Sequence, residues 1–196
     1  LPLIGRHNIY NALAALGAGL ALKLEPALLK RALQSMAPVP GRLEQVSAGQ
    51  PFGVFVDYAH TDDALQNVLT TLREITAGRL LLAFGCGGNR DAGKRARLGR
   101  VAAMLADFTL ITSDNPRKES PEKIAAQIEE GYRSARSDAY SLELDRSRAI
   151  HQIISQAQAG DTVLIAGKGH ETYQIVGLER RPFDDRAEAR AALGPA

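Results

Sequence analysis

Apolar residues follow two different rhythms along this chain. Near the start, Ile9, Leu13, Leu16 and Leu20 recur at helical spacing, with Asn8 near the first turn, and predict a helix. Pro26 stands where a second helix would begin, followed by Leu28, Leu29, Ala32 and Leu33. The run Ala37-Pro38-Val39-Pro40-Gly41 then breaks the pattern. It divides the chain into a helical segment, residues 1–36, and a second region, residues 37–196.

Beyond the break, short apolar runs alternate with helical stretches. The runs are Gly53–Tyr58, Leu80–Phe84, Phe108–Thr112 and Thr162–Ala166. The helices between them are Asp62–Ile75, Lys94–Leu105, Pro121–Tyr132 and Arg146–Ala157. Ser120 and Asp145 are placed as caps, and Pro121 as a first helical residue. Continuous apolar strands separated by helices predict an α/β fold, a mostly parallel sheet covered on both faces. Tyr173–Phe183 reads as a hairpin turning at Gly177-Leu178, with a short last helix from Asp184.

Composition narrows the classes. Apolar residues make up 45% of 196 residues, enough for a real core, and the net charge is +2 with both signs scattered. Nothing calls for nucleic acid. The most apolar early stretch, Ala12–Leu22, is too short to cross a membrane, and no leader sequence is visible. The lone cysteine, Cys86, forbids an internal disulfide, which fits a cytoplasmic protein.

Polar chemistry gathers just after each apolar run, where a parallel sheet binds its ligands. The segments are Asp57-Tyr58-Ala59-His60, Gly85-Cys86-Gly87-Gly88-Asn89-Arg90-Asp91, Ser113-Asp114-Asn115-Pro116-Arg117 and Gly167-Lys168-Gly169-His170-Glu171. On one edge they would form a mixed-charge site for a zwitterionic or phosphorylated ligand. Gly88 to Lys94 has P-loop spacing, but Arg95 stands where a magnesium-binding hydroxyl belongs, and the dinucleotide fingerprint fails as well. In Asp114-Asn115-Pro116-Arg117, the arginine suits a carboxylate and the aspartate an ammonium; the plainer reading is an Asx turn with a solvated arginine. Gly167–Glu171 also has a plain reading, a turn with a surface charge cluster. His170 and Glu171 make a poor metal site, His151 reads as structural or solvated, and Cys86 as a packed residue.

In order, these segments resemble one family. Gly5-Arg6-His7-Asn8-Ile9-Tyr10-Asn11-Ala12-Leu13-Ala14-Ala15 resembles the segment that ends the ATPase domain of Mur ligases. Pro40-Gly41-Arg42-Leu43-Glu44, Val56-Asp57-Tyr58-Ala59-His60-Thr61 and Phe84–Asp91 resemble their P-G-R-[ML]-E, V-D-Y-A-H-T and F-G-C-G-G-[DN]-R-D motifs; D-N-P-R and G-K-G-H-E complete the set. The resemblance covers nearly the whole chain and is strongest to the members that add meso-2,6-diaminopimelate. It implies a Rossmann-like C-terminal domain at residues 37–196, preceded by two helices from the end of the ATPase domain at residues 1–36.

The resemblance also implies roles. Arg90, Asp114, Asn115, Arg117, Gly167 and Glu171 would bind meso-diaminopimelate, with Arg117 on the distal carboxylate that lysine lacks. Asn8 and Asn11 would lie near the adenine of ATP, Arg42 and Asp57 would touch the nucleotide, and His60 would lie near its phosphates. The implied reaction joins diaminopimelate to UDP-N-acetylmuramoyl-L-alanyl-D-glutamate in peptidoglycan synthesis, using ATP and Mg2+. No metal ligand is assigned to this sequence. The family's UDP-binding domain, P-loop and magnesium ligands are missing from it, so a partial chain, inactive alone, is expected, with an exposed apolar face on residues 1–36. A monomer is expected. The competing readings are a free-standing amino-acid or nucleotide-binding module, a lysine-adding Mur ligase, and a folylpolyglutamate synthase.

Overall fold

A computed structural model describes residues 3–194. The chain divides into two compact units, Leu1–Val39 and Pro40–Ala196, at the proline-rich break. The first unit is a helical pair, α1 (Arg6–Ala21) and α2 (Pro26–Gln34), and Pro26 opens α2. Its apolar side chains are left largely uncovered: Ile9, Leu13, Leu20, Leu22 and Leu28 are all exposed.

The second unit runs β1 (Glu44–Gln45), β2 (Gly53–Asp57), α3 (Asp62–Arg73), β3 (Leu80–Phe84), α4 (Gly93–Leu105), β4 (Phe108–Ile111), α5 (Pro121–Arg133), β5 (Tyr140–Leu142), α6 (Arg146–Ser155), β6 (Thr162–Ala166), β7 (Tyr173–Val176), β8 (Glu179–Pro182) and α7 (Asp185–Leu193). The main sheet has the order β1-β2-β6-β3-β4-β5, parallel except for the short antiparallel pairing of β1 with β2. β6 comes last of the parallel strands in sequence, yet it lies between β2 and β3. Strands β7 and β8 form a separate hairpin. Thr61, Ser120, Asp145 and Asp184 cap α3, α5, α6 and α7 with their side chains.

Both faces of the sheet are covered, because alternate strand residues point to opposite sides. Val54, Val56, Leu81, Ala83, Leu110, Val163 and Ile165 form one core cluster with Ala149, Ile150, Ile153 and Ile154 of α6 and Ala189 of α7. The intervening residues, Phe55, Leu80, Leu82, Phe84, Ile111 and Leu164, are equally buried on the side where α3, α4 and α5 pack against the sheet and one another. Two short edge strands, β1 and β5, are absent from the sequence reading. Two and three residues carry too little apolar alternation to announce a strand, and a neighbouring strand supplies the pairing.

Candidate functional site

The parallel register brings the four polar segments to one edge. Asp57 and Phe84 both pair with Ala166, and Phe84 also pairs with Ile111, so the residues that follow leave the sheet at the same level. Close backbone contact then locks the loops together. A Cβ on Gly85 would fall 2.1 Å from the Thr112 carbonyl oxygen, and one on Gly88 1.9 Å from that of Pro116. The Gly88 amide donates to the Asn115 carbonyl oxygen (2.9 Å). Gly41 and Gly169 meet in the same way: a Cβ on Gly41 would lie 2.1 Å from the His170 nitrogen, and both have positive φ.

The D-N-P-R loop is held by the hairpin. Gln174 Nε2 donates to the Asp114 carbonyl (2.8 Å), the Ile175 amide to Asn115 Oδ1 (2.9 Å), and the Arg117 amide to the Ile175 carbonyl (3.0 Å). The Gly177 amide donates back to the Arg117 carbonyl (2.7 Å), closing a bridge that holds Arg117 at φ 54. The Arg117 guanidinium is partly buried and donates from Nη1 to the Gly88 carbonyl (2.9 Å). Asp114 and Asn115 are buried and the Arg117 guanidinium is partly buried, so the arginine is not the fully solvated group of the plain reading. The surface-cluster reading of the fourth segment falls too. Lys168 is fully buried, with its Nζ among Asp114 Oδ1, Asn115 Oδ1 and Glu171 Oε2 at 3.1–3.4 Å. Asn115 Nδ2 donates to Glu171 Oε2 (2.9 Å). Burial pushes the Asp114 carboxyl above its usual range, against the pull of Arg146 and Lys168.

Arg90 is exposed on the glycine loop, and Gly167, at φ 114, lies at the end of β6 beside Asp114. The structure therefore gathers Asp114, Asn115, Gly167 and Glu171, with Arg117 and the glycine loop alongside.

A second cluster lies around Tyr58. Its ring is 4.7 Å from that of His60 and 5.1 Å from that of His170, and the Arg42 guanidinium lies 5.3 Å from its centroid. Lys94 Nζ donates to the His60 carbonyl (2.9 Å). His60 Nδ1 lies 2.9 Å from the Tyr58 carbonyl, which can only accept, so Nδ1 carries the proton and Nε2 is left available. Arg42, His60 and His170 are exposed. Asp57 is buried, and its two oxygens accept the Leu43 and Ala59 amides at 2.7 Å, so it shapes the backbone on either side of the cluster. Burial, then the Glu171 and Asp114 carboxylates, push the Tyr58 hydroxyl up, which ties the two clusters electrostatically. Asn8 and Asn11 belong to the first unit, one turn apart on α1; Asn11 Nδ2 donates to Asn8 Oδ1 (3.3 Å).

Sequence reasoning missed the buried cations. Arg95, where a P-loop would carry a hydroxyl, is buried and grips Glu119 from both terminal nitrogens (2.9 and 3.0 Å). Glu119 in turn accepts the Asn89 amide, and the Arg95 bonds hold its carboxyl down at about 2. Arg146 pairs with Asp185 in two bonds (2.7 and 2.8 Å) with no exposed side-chain surface on either. An arginine at a helix start looks solvated in sequence, and nothing local marks it otherwise. Lys168 carried one signal, its place between two glycines. Cys86 is a packed residue whose thiol burial pushes up to about 12. His151 is half-exposed on α6, 3.7 Å from Glu188. Among the described residues no cluster of three or more His, Cys, Asp or Glu could hold a metal, and no helix is long and apolar enough to cross a membrane.

Comparison with known proteins agrees with this geometry. The family model described as Mur ligase, glutamate ligase domain, matches residues 41–169. A UDP-N-acetylmuramoyl-L-alanyl-D-glutamate–2,6-diaminopimelate ligase of Synechocystis sp. is 50% identical over 98% of this chain and 38% of its own length. One from Solibacter usitatus is 49% identical over 98% of this chain and 39% of its own length. A solved structure of a ligase of that name superposes with a TM-score of 0.77 at 41% identity, covering 98% of this chain and 39% of that one. The UDP-N-acetylmuramate-alanine ligase of Thermotoga maritima shares the fold, with a TM-score of 0.68 at 20% identity over 98% of this chain and 38% of its own. The chain thus spans well under half the length of these relatives. With four of its motifs at one sheet edge and its matched domain over residues 41–169, the chain belongs to the Mur ligase family.

Proposed function

We propose that this chain is the amino-acid-binding part of an ATP-dependent ligase that adds meso-2,6-diaminopimelate to UDP-N-acetylmuramoyl-L-alanyl-D-glutamate in peptidoglycan synthesis. The observation that carries the reading is Arg117, held at positive φ by the hairpin, on the loop whose Asp114 and Asn115 gather with Glu171. A guanidinium turned to the glycine loop, on the same D-N-P-R loop as the Asp114–Asn115–Glu171 cluster, complements a ligand that has both ammonium and carboxylate groups. Arg117, with Arg90 on the facing loop, meets the distal carboxylate; Asp114, Asn115 and Glu171 meet an amine; Gly167 leaves the space.

Residues 1–36 are assigned to the end of the ATPase domain and residues 37–196 to the C-terminal domain. ATP supplies the phosphoryl group that activates the glutamate side-chain carboxylate. The chain's own part is to hold the diaminopimelate amine for attack on the activated carbon, with release of phosphate and a proton; this is catalysis by positioning. Arg42, His60, Lys94 and His170 around the Tyr58 ring suit a polyphosphate, and Asp57 orders the backbone under Arg42. Asn8 and Asn11 are assigned to the adenine. Among the described residues no group of three or more His, Cys, Asp or Glu could hold a metal, and no step here runs through Mg2+. The proposed setting is the cytoplasm, as a monomer, with no nucleic acid or membrane partner.

Calorimetric titration of the chain with meso-diaminopimelate and with L-lysine tests the reading. Diaminopimelate should bind and lysine should not, and Arg117→Ala should weaken the first by about tenfold to a hundredfold, the range for a lost hydrogen bond to a charged group. Equal affinity for the two amino acids would defeat it.

A further inference from the structure

Under the D-N-P-R loop sits a charge that ligand recognition alone does not explain. Lys168 has no exposed surface. Its Nζ lies 3.1 Å from Asn115 Oδ1, 3.2 Å from Glu171 Oε2 and 3.4 Å from Asp114 Oδ1, with the Tyr173 ring centroid 5.5 Å away. An ammonium this deep must be surrounded by acceptors and counter-charge. Each of these three acceptors belongs to a side chain proposed to meet the amino acid.

The arrangement fixes more than position. Lys168 Nζ and the Ile175 amide both donate to one atom of the Asn115 amide, which must therefore be the oxygen; Nδ2 is then turned to Glu171. Glu171 takes Lys168 and Asn115 on Oε2, and its Oε1 has no hydrogen bond among the described residues. Other groups face these carboxylates from every side: Arg146 on α6, Asp185 on α7, Tyr173 on β7, and Tyr58 and Cys86 on the loops after β2 and β3. Arg146 is committed to Asp185 in a two-bond pair. Arg146 also pulls on Asp114 through space, but Lys168 is the cation in direct contact with both Asp114 and Glu171. Without it, the two carboxylates would share the site with no cation in contact, which favours proton uptake by one of them.

We propose that Lys168 is a positioning residue that keeps Asp114 and Glu171 ionised together and sets the Asn115 amide, so that the loop meets the ammonium of an amino acid with acceptors only. The proposal rests on the amino-acid-binding reading above.

NMR of the chain and of Lys168→Met tests it without a ligand. In the parent chain the Lys168 ammonium should give a slowly exchanging signal near neutral pH. In Lys168→Met, the Asp114 carboxyl should titrate at least about one pH unit higher, and the Asn115 side-chain amide signals should move. Diaminopimelate affinity of the variant should fall about tenfold at about pH 6.5 and recover towards the parent's at about pH 8.5, as the carboxyl ionises. A packing role would lower it equally at both.

A fast-exchanging or neutral Lys168 in the parent, which can be read even where the variant does not fold, overturns the proposal. So do unchanged carboxyl titrations in a folded Lys168→Met. If the parent binds diaminopimelate no better than lysine, the substrate reading falls, while the titrations still decide whether Lys168 governs the charge of the loop.

Discussion

The two edges of the main sheet handle charge in opposite ways. At the amino ends of the strands, Asp107 pairs with Arg73 and Asp161 with Arg79, and the arginines keep 42% and 45% of their side-chain surface in water. Those aspartates do structural work, since Asp107 accepts the Leu80 amide and Asp161 the Arg79 and Gln158 amides. At the carboxyl ends, Arg146, Asp185 and Lys168 have no exposed side-chain surface. Buried charge is expensive to keep in a fold. The amino edge shows that this sheet can tie its loops with half-solvated pairs, so tying loops does not by itself require charges buried as deeply as at the carboxyl edge.

This contrast can be broken by substitution, and the largest effect belongs to the carboxyl edge. Arg146→Met leaves Asp185 buried and unpaired, and chemical denaturation should show a loss of about 3–5 kcal/mol. Adding Asp185→Leu should recover part of it; no recovery would mean that Arg146 acts through its backbone partners, the Ser113 and Ala166 carbonyls. At the amino edge, Asp161→Ala strands two amide donors and should cost about 1–3 kcal/mol in the same assay. Arg95–Glu119 lies between these cases, with one buried partner and one partly exposed. Glu119 is held at about 2, below the usual 4.5, so its contribution is full above about 4.5 and disappears as pH falls towards 2. Acid titration of stability should show that loss, and Glu119→Gln should flatten it. The smallest effect is Arg73→Ala, below about 1 kcal/mol for a pair this exposed, measured by thermal unfolding.

The four apolar strands and the helices between them were legible because their pattern is continuous and their caps are conventional: Thr162–Ala166 and Leu80–Phe84 stand at the residues the sequence marks. The shared edge of the polar segments followed from the parallel sheet. What the sequence hid depends on distant partners. Nothing near Arg146 announces Asp185, 39 residues later. Nothing in Gly167-Lys168-Gly169 reveals that the lysine turns inward to Asp114 and Asn115, more than fifty residues earlier. Asp57, which the resemblance assigns to the nucleotide, also accepts the amides of Leu43 and Ala59, one of them across a loop, a structural role the sequence does not announce.

The place of β6 has a consequence for how the chain is made. β2 and β3 do not pair with each other; each pairs with β6. During synthesis, β1–β2 and β3–β4–β5 emerge as two separate pieces, each with a bare strand edge. Only when Thr162–Ala166 leaves the ribosome can one sheet close, and the same residues carry the Gly167–Glu171 loop into place. The contacts that close the second unit are therefore distant in sequence, and a nascent chain stalled before Thr162 lacks both the closing strand and the Gly167–Glu171 loop.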